Sequence, residues 1–267
     1  MTGNTALYLG GGGAYSCTLN NCVLTGNSSL YGYGGGAFSC TLNNCALRGN
    51  SANQGGGAYS DGGQPCTLNN CALTGNSAVG YGGGAYSCAL KNCTLTGNST
   101  LGAWSVFIGG EYWFPGAGSG AYSCALKNCI VYFNFNSDSN VDNYDLSSTL
   151  NYCCTTPMPP NGVGNISADP QLASASHLSA LSPCIGAGSA TYTSGTDIDG
   201  DAWANPPSIG CDEYHAGAVT GPLTVSLTAT FTNVATGFPV GLTAFIAGRT
   251  DLSVWDFGDG FVEVNEP

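Results

Sequence analysis

A pair of cysteines separated by four residues occurs five times in the first half of the chain. Each pair lies in a longer unit, GGGAYSCTLNNCVLTGNS, which begins at Gly11 and returns with few changes at steps of 23, 26, 22 and 36 residues. A repeat of this period is typical of a solenoid, in which every unit is one coil stacked on its neighbours. The pairs are Cys17 and Cys22, Cys40 and Cys45, Cys66 and Cys71, Cys88 and Cys93, and Cys124 and Cys129.

The pattern inside one unit favours strands over helices. Cys17 and Leu19 share a parity, and runs this short do not make the long apolar faces of helical repeats, which need about 33 residues per unit. Asn-Asn and Thr-Gly-Asn follow the runs, and these residues tolerate left-handed corners. Leucine-rich repeats have a similar length but need more leucines than the two found in each unit here. Three short strands per coil are therefore predicted, which is a parallel β-helix.

Stacking at about 4.8 Å places equivalent side chains in columns along the axis. We expect Leu42 to lie over Leu68 in a buried column, an aromatic column that includes Tyr59, and an amide ladder at the corners. Asn4 fits the ladder position, so the chain begins inside a repeat and is expected to be a piece of a longer polypeptide. Besides the cysteine pairs, the predicted ladder residues are Asn27, Asn50, Asn76 and Asn98.

Charge is unevenly distributed along the chain. The net charge is -12, yet three basic and two acidic residues give residues 1–136 a charge of +1, and 14 acids and one arginine give residues 137–267 a charge of -13. Four cations in the whole chain argue against nucleic-acid binding. The hydrophobic content of 43% argues against disorder, and no apolar run is long enough for a membrane span.

Several motifs resemble those of exported bacterial repeat proteins. GGGAYS with LTGN looks like the repeats of polymorphic outer-membrane proteins. Later motifs are Asp169-Pro170-Gln171-Leu172, His177-Leu178-Ser179, Ser182-Pro183-Cys184-Ile185-Gly186-Ala187-Gly188, Asp197-Ile198-Asp199-Gly200 and Ile209-Gly210-Cys211-Asp212-Glu213-Tyr214. As a set they resemble the end of choice-of-anchor Q parallel β-helix proteins. The resemblance implies a right-handed β-helix over 1–216, with regular repeats at 1–136 and irregular coils at 137–216, exported to the cell surface or beyond.

A further resemblance begins after residue 216. The stretch Trp255-Asp256-Phe257-Gly258-Asp259-Gly260 is similar to the hallmark of Ig-like domains of the polycystic-kidney-disease (PKD) type. Such domains run through two more strands, whereas this chain ends seven residues later. The resemblance therefore implies a truncated β-sandwich over 217–267, with an edge that another chain can pair. The predicted fold class is all-β, a β-helix followed by a partial sandwich.

The fourteen cysteines admit two interpretations, which the sequence leaves open. Ladder thiols are small buried hydrophobes, or they form disulfides between coils, whose spacing lies within the Cα range of a disulfide. Cys184 and Cys211 replace alanines of the resembled pattern at the two ends of one closing segment, which suggests a bridge between them. Cys153 and Cys154 are rival partners.

Two groups of residues are candidate sites. The insertion between Asn98 and Tyr122 is rich in aromatics, which bind a partner or a sugar or else fold back as a local cap. Asp197, Asp199 and Asp201 have the oxygen density of a Ca²⁺ loop but lack the bidentate glutamate of an EF-hand, so an Asp-Gly turn is the favoured explanation and no cofactor is required. No catalytic residues are predicted, because the coils supply no cluster of carboxylates. The insertion residues are Trp104, Phe107, Glu111, Tyr112, Trp113 and Phe114.

Two functions compete at this stage. The first is a non-catalytic structural or adhesive protein, secreted or on the cell surface, whose exposed coil edges and incomplete sandwich allow self-association into filaments. The second is a carbohydrate-binding or polysaccharide-cleaving protein that acts through the aromatic insertion, with glycans as partners. Neither function involves nucleic acid or a membrane span.

Overall fold

The computed structural model divides the chain into two compact units, Met1–Tyr214 and His215–Pro267. Backbone alone is described for residues 103–107, 110–114, 224–226, 245–247, 253–256 and 262–265. Among the described residues no helix has the length and apolarity of a membrane span. The structure describes residues 1–8, 10–107, 110–114, 116–215, 224–230, 233, 235–237, 240–247, 253–256 and 262–265.

The first unit consists of short strands and one 3₁₀ turn, Ala190–Tyr192. Its strands are β1 (Thr5–Ala6), β2 (Ala14–Tyr15), β3 (Thr18–Asn20), β4 (Val23–Thr25), β5 (Ser28–Tyr33), β6 (Ala37–Phe38), β7 (Thr41–Asn43), β8 (Ala46–Arg48), β9 (Ser51–Gln54), β10 (Ala58–Tyr59), β11 (Thr67–Asn69), β12 (Ala72–Thr74), β13 (Ser77–Tyr81), β14 (Ala85–Tyr86), β15 (Ala89–Lys91), β16 (Thr94–Thr96), β17 (Ser99–Thr100), β18 (Ala103–Phe107), β19 (Gly110–Phe114), β20 (Ala121–Tyr122), β21 (Ala125–Lys127), β22 (Ile130–Tyr132), β23 (Phe135–Asn136), β24 (Thr149–Asn151) and β25 (Cys154–Thr155).

All of these strands except β18 and β19 stack in four parallel sheets, which confirms the predicted β-solenoid. The sheets are β1-β5-β9-β13-β17-β23, β2-β6-β10-β14-β20, β3-β7-β11-β15-β21-β24 and β4-β8-β12-β16-β22-β25. A regular coil contributes one strand to each sheet, so it has four strands where the sequence predicted three. The additional strand is the Ala-aromatic pair after each glycine triplet, which bonds to the same pair in the next coil.

The register of the strands builds the core. Leu42 is paired with Leu19 on one side and with Leu68 on the other, as predicted. The buried leucine and cysteine columns form one continuous cluster inside the coils. Tyr59 stacks on Phe38 and on Tyr86 with ring centroids 5.2 and 4.9 Å apart, so the predicted aromatic column is confirmed.

The solenoid continues beyond the limit at residue 136 that the sequence analysis set for regular repeats. β24 pairs with β21 and β25 pairs with β22, which adds a coil. Leu150 lies in register with Leu126, while Ser148 and Tyr152 stand where earlier coils have a cysteine and an asparagine. The leucine of the repeat is therefore preserved in this coil, although the cysteine and the asparagine that mark earlier coils are replaced.

The described residues of the second unit form two antiparallel strand pairs. β26 (Thr224–Ala229) pairs with β27 (Leu242–Ala247), and β28 (Ser253–Asp256) pairs with β29 (Val262–Asn265). This small antiparallel arrangement fits the partial sandwich expected from the sequence. Trp255 and Asp256 of the WDFGDG stretch lie on β28, and residues 257–260 lie outside the described residues.

Candidate functional site

One asparagine per coil forms a ladder inside the solenoid. The Oδ1 of Asn76 accepts the backbone N–H of Asn50 at 3.0 Å and its Nδ2 at 2.9 Å. The Nδ2 of Asn76 donates to the Oδ1 of Asn98 at 3.0 Å and to the carbonyl of Leu47 at 2.9 Å. A buried polar group with all its partners costs little to bury, so this buried asparagine ladder is a stabilising element. Its members are Asn4, Asn27, Asn50, Asn76, Asn98, Asn134 and Asn143.

Eleven of the fourteen cysteines stack in two thiol columns, and all fourteen are free thiols. In the second column the Sγ of Cys71 donates to the carbonyl of Asn69 at 3.1 Å and accepts the N–H of Cys45 at 3.4 Å. The sulfur thus links coils as the asparagine amides do. Burial raises the pKa of Cys88 and Cys93 well above the ordinary value, which keeps both as inert thiols. The first column is Cys17, Cys40, Cys66, Cys88 and Cys124, and the second is Cys22, Cys45, Cys71, Cys93, Cys129 and Cys153.

A second set of asparagines holds a segment from the end of the first unit. Their backbones are left-handed, with φ of 51° at Asn44 and 53° at Asn70. The Nδ2 of Asn70 donates to the carbonyl of Thr196 at 2.6 Å, and the Nδ2 of Asn44 donates to that of Asp197 at 2.6 Å. Residues 189–197, called the strap below, therefore cross several coils. The corner asparagines are Asn21, Asn44, Asn70, Asn92 and Asn128, of which the last four bond to the strap.

The three aspartates weighed as a Ca²⁺ loop do not converge on one point. Asp197 is fully buried, and its Oδ1 accepts the N–H groups of Asp199 and Asp201 at 2.9 and 2.7 Å. Its Oδ2 accepts the N–H of Glu213 at 3.0 Å. Burial raises the pKa of Asp197, although these three hydrogen bonds oppose the rise. Asp197 is thus an internal anchor for a turn, the explanation that the sequence favoured.

The same segments bring His177, Asp199 and Asp212 together, with ligand atoms within 4.8 Å of one another. His177 Nε2 lies 2.8 Å from Asp199 Oδ2, and the two side chains are 21% and 15% exposed. The pKa of Asp212 is raised to about 6, chiefly by burial and also by the charges of Asp197 and Asp199, while the hydrogen bond from the N–H of Leu178 and the charge of His177 oppose the rise. The sequence motifs containing these residues were noted, but nothing in their spacing showed that they meet.

The two cysteines suggested as a bridge are buried free thiols with different neighbours. Cys184 lies in a hydrophobic cluster with Cys154, Leu178 and Ile209, and its thiol interacts with that of Cys154. The Cys211 thiol donates to the carbonyl of Ser176 at 3.4 Å. Of the partners named from the sequence, Cys154 is the one whose side chain the structure places against Cys184.

The aromatic insertion forms a β-hairpin. β18 and β19 pair antiparallel, and Trp104 is the direct cross-strand partner of Trp113. Phe107 is paired with Gly110 at the end of the hairpin. The structure describes only the backbone of the six residues that were predicted as a binding site. They are Trp104, Phe107, Glu111, Tyr112, Trp113 and Phe114.

A cavity of about 290 Å³ lies beside β24. Residues 146–151 and 159–162 line it together with Tyr144. The lining offers hydroxyl and amide groups, and no described carboxylate or imidazole faces it. Comparisons with protein-family models, with curated proteins and with solved structures find no match to this chain.

Proposed function

We propose that this chain is a non-catalytic structural or adhesive solenoid that works outside the cell or on its surface. The observation that carries the proposal is the continuous buried asparagine ladder, which ties every coil to the next through fully partnered amides. Such a ladder makes a stiff rod whose stability resides in its repeat, as in other solenoids. The low charge of residues 1–136 is consistent with a surface that packs against other surfaces.

End-to-end association of solenoids would extend this role. Strands β1, β2 and β3 each stand at the end of their sheet, and a strand at a sheet end carries unpaired backbone groups. Residues 1–3 bond to Val23 and Thr25 of β4, whose edge is therefore only partly open. Thr41 and Ala46 donate their N–H groups to the coil before them, and Thr18 and Val23 are the equivalent residues of the first coil. A second copy of the chain would pair with these groups by adding a coil.

Electron microscopy and sedimentation of the purified chain test the assembly. We expect filaments that disappear in Thr18→Pro and Val23→Pro, because proline removes the edge N–H while remaining acceptable at the first residue of a strand. Val23→Thr retains the N–H and is the matched control. Dispersed monomers of the wild-type chain would reject assembly. Surface labelling of producing cells tests the location separately, and a chain that is found only inside cells contradicts it.

The hairpin supports glycan binding as the second candidate function. Trp104 and Trp113 occupy directly opposed positions on β18 and β19, and tryptophan is a residue with a large contact area for a partner. A glycan array and a reducing-end assay on the wild-type chain, Trp104→Ala and Trp113→Ala test this candidate. Tyr8→Ala, which removes an aromatic that is 71% exposed elsewhere, is the control. No signal from the wild-type chain in either assay eliminates the candidate.

A further inference from the structure

The region around His177 is rich in carboxylates. Asp197, Asp199, Asp201, Asp212 and Glu213 lie in or beside it, and His177 forms an ion pair with Asp199. Asp197, Asp212 and Glu213 are buried. Buried carboxylates are stable when hydrogen bonds or a cation compensate their desolvation. The buried carboxylates of this region therefore differ in the groups that compensate the cost of their desolvation.

Backbone and hydroxyl groups satisfy two of the buried acids. Asp197 accepts three N–H groups, and Glu213 accepts the N–H and the hydroxyl of Ser208 at 2.8 and 2.7 Å. Asp212 is different. Its Oδ2 accepts the N–H of Leu178 at 2.9 Å, whereas no N–H or O–H of the described residues donates to its Oδ1. A carboxylate that is 6% exposed thus has an oxygen available beside Asp199 and His177.

The imidazole of His177 is oriented from its other side. Its Nδ1 lies 2.6 Å from the hydroxyl of Ser174 and 3.1 Å from that of Ser176. Histidines that bind metals are usually held in this way, by a hydrogen bond at the nitrogen that does not bind. A hydroxyl accepts as well as donates, so Nδ1 can hold the ring proton when Nε2 gives its lone pair to a cation. Nε2 is turned toward Asp199.

We propose that His177, Asp199 and Asp212 bind one divalent transition-metal cation of the zinc class. One imidazole nitrogen and two carboxylate oxygens form a donor set that such ions accept in tetrahedral sites, with the fourth position left for water. The imidazole distinguishes the site from a Ca²⁺ site, which takes six to eight oxygens. On binding, the Nε2 proton moves to Nδ1 or leaves to solvent. The cation joins the segments that contain His177, Asp199 and Asp212.

Cobalt(II) tests the site, because its visible spectrum reports tetrahedral binding and its sulfur charge-transfer band reports thiolate ligands. The full chain is stripped with a chelator under reducing conditions and titrated with Co²⁺, followed by displacement with Zn²⁺. We expect one tetrahedral ion per chain without the sulfur band, and thermal stabilisation by Zn²⁺. In His177→Gln and Asp212→Asn the affinity should fall by more than about 100-fold, the upper range for loss of an outer-shell partner.

Asp212→Asn retains an oxygen for the N–H of Leu178, so its fold should be preserved, and far-ultraviolet circular dichroism checks this. Asp61→Asn changes an exposed aspartate in another loop and should bind like the wild-type chain. A sulfur band would mean that thiols hold the ion. Unchanged affinity in Asp212→Asn would mean that Asp212 is not a ligand. Either result would overturn the proposal. Absence of Co²⁺ binding, or displacement by Ca²⁺ at equal concentration, would overturn it as well.

Discussion

A single oxygen, Oδ1 of Asn76, accepts two hydrogen bonds from Asn50, one from its backbone and one from its side chain. The chain therefore has a buried amide whose loss leaves several partners unpaired. We expect Asn76→Ala to lower the free energy of unfolding by about 3 kcal/mol or more, since each unpaired buried group costs about 1–3 kcal/mol. Urea unfolding measures the change. Asn20→Ala, in an exposed ladder, should cost about 0.5 kcal/mol or less, and equal losses would contradict the role of the buried ladder.

The glycine triplets lie too close to the next coil to accept a side chain. A Cβ at Gly57 would lie 2.5 Å from the carbonyl oxygen of Gly84 and 3.2 Å from the amide of Asn76. We expect Gly57→Ala to destabilise the chain by about 2 kcal/mol or more, because these neighbours are fixed by the ladder. At Gly63 the nearest atom is 3.5 Å away, so Gly63→Ala should have little effect in the same thermal unfolding experiment. Similar melting temperatures for the two variants would refute the argument.

The strap depends on the corner asparagines. Asn70→Ala removes the donors to Ser194 and Thr196, so the amides of residues 189–197 should exchange hydrogen faster while those of the solenoid core keep their protection. Asn21→Ala is the matched control, because φ is 52° there and 53° at Asn70, and no strap contact is lost. Hydrogen exchange followed by mass spectrometry separates the two. Equal exchange in both variants would show that the amides do not hold the strap.

Thiol reactivity should follow burial. Cys17 is the exposed thiol, Cys22 is half-buried and the other twelve are buried. A soluble alkylating reagent should therefore modify Cys17 first and Cys22 more slowly, with the rest reacting on unfolding. Mass spectrometry over time measures the order, and Cys17→Ser should remove the fast phase. Rapid modification of a column thiol such as Cys71 would contradict the structure.

Acid should weaken the loop before β24 through Asp145. Burial raises the pKa of this carboxyl, but hydrogen bonds from Ser147, Ser148 and the N–H of Ser123 outweigh burial and hold the pKa below its ordinary value. A carboxyl whose pKa is lower in the folded chain than in the unfolded chain stabilises the fold at pH values above its unfolded pKa of about 4. This contribution to the free energy of unfolding is lost as the pH falls through the pKa of the folded state. The melting temperature of Asp145→Asn should be lower than that of the wild-type chain at pH 7, and the difference should shrink in acid. A constant difference would exclude this origin.

The columns could be predicted from the sequence because their information is local and repeated. Leucine, cysteine and asparagine return at fixed places in every unit, so Leu42 over Leu68 follows from period alone. From the sequence the additional coil was grouped with the irregular coils of 137–216, because Ser148 and Tyr152 replace the residues that mark the unit. The signal that remained is Thr149-Leu150-Asn151, which repeats Thr18-Leu19-Asn20.

The strap and the His177 cluster could not be predicted in this way. Ser189 meets Asn128 across 61 residues and Asp197 meets Asn44 across 153, and no periodicity links them. Their contacts depend on how the closing segment lies over the coils. The corner asparagine, which has a left-handed backbone, was visible in the sequence of every unit as a turn residue. Nothing in the sequence showed that its side-chain amide donates to the strap.

The buried asparagine ladder also affects how such a chain can evolve. Each coil brings its own acceptor oxygen for the coil before it and its own N–H donors for the coil after it. Duplication or loss of the codons for one whole coil would therefore leave every remaining bond intact. The solenoid would become longer or shorter by one strand spacing, about 4.8 Å. Length is in this sense a trait that recombination within the gene can adjust in steps.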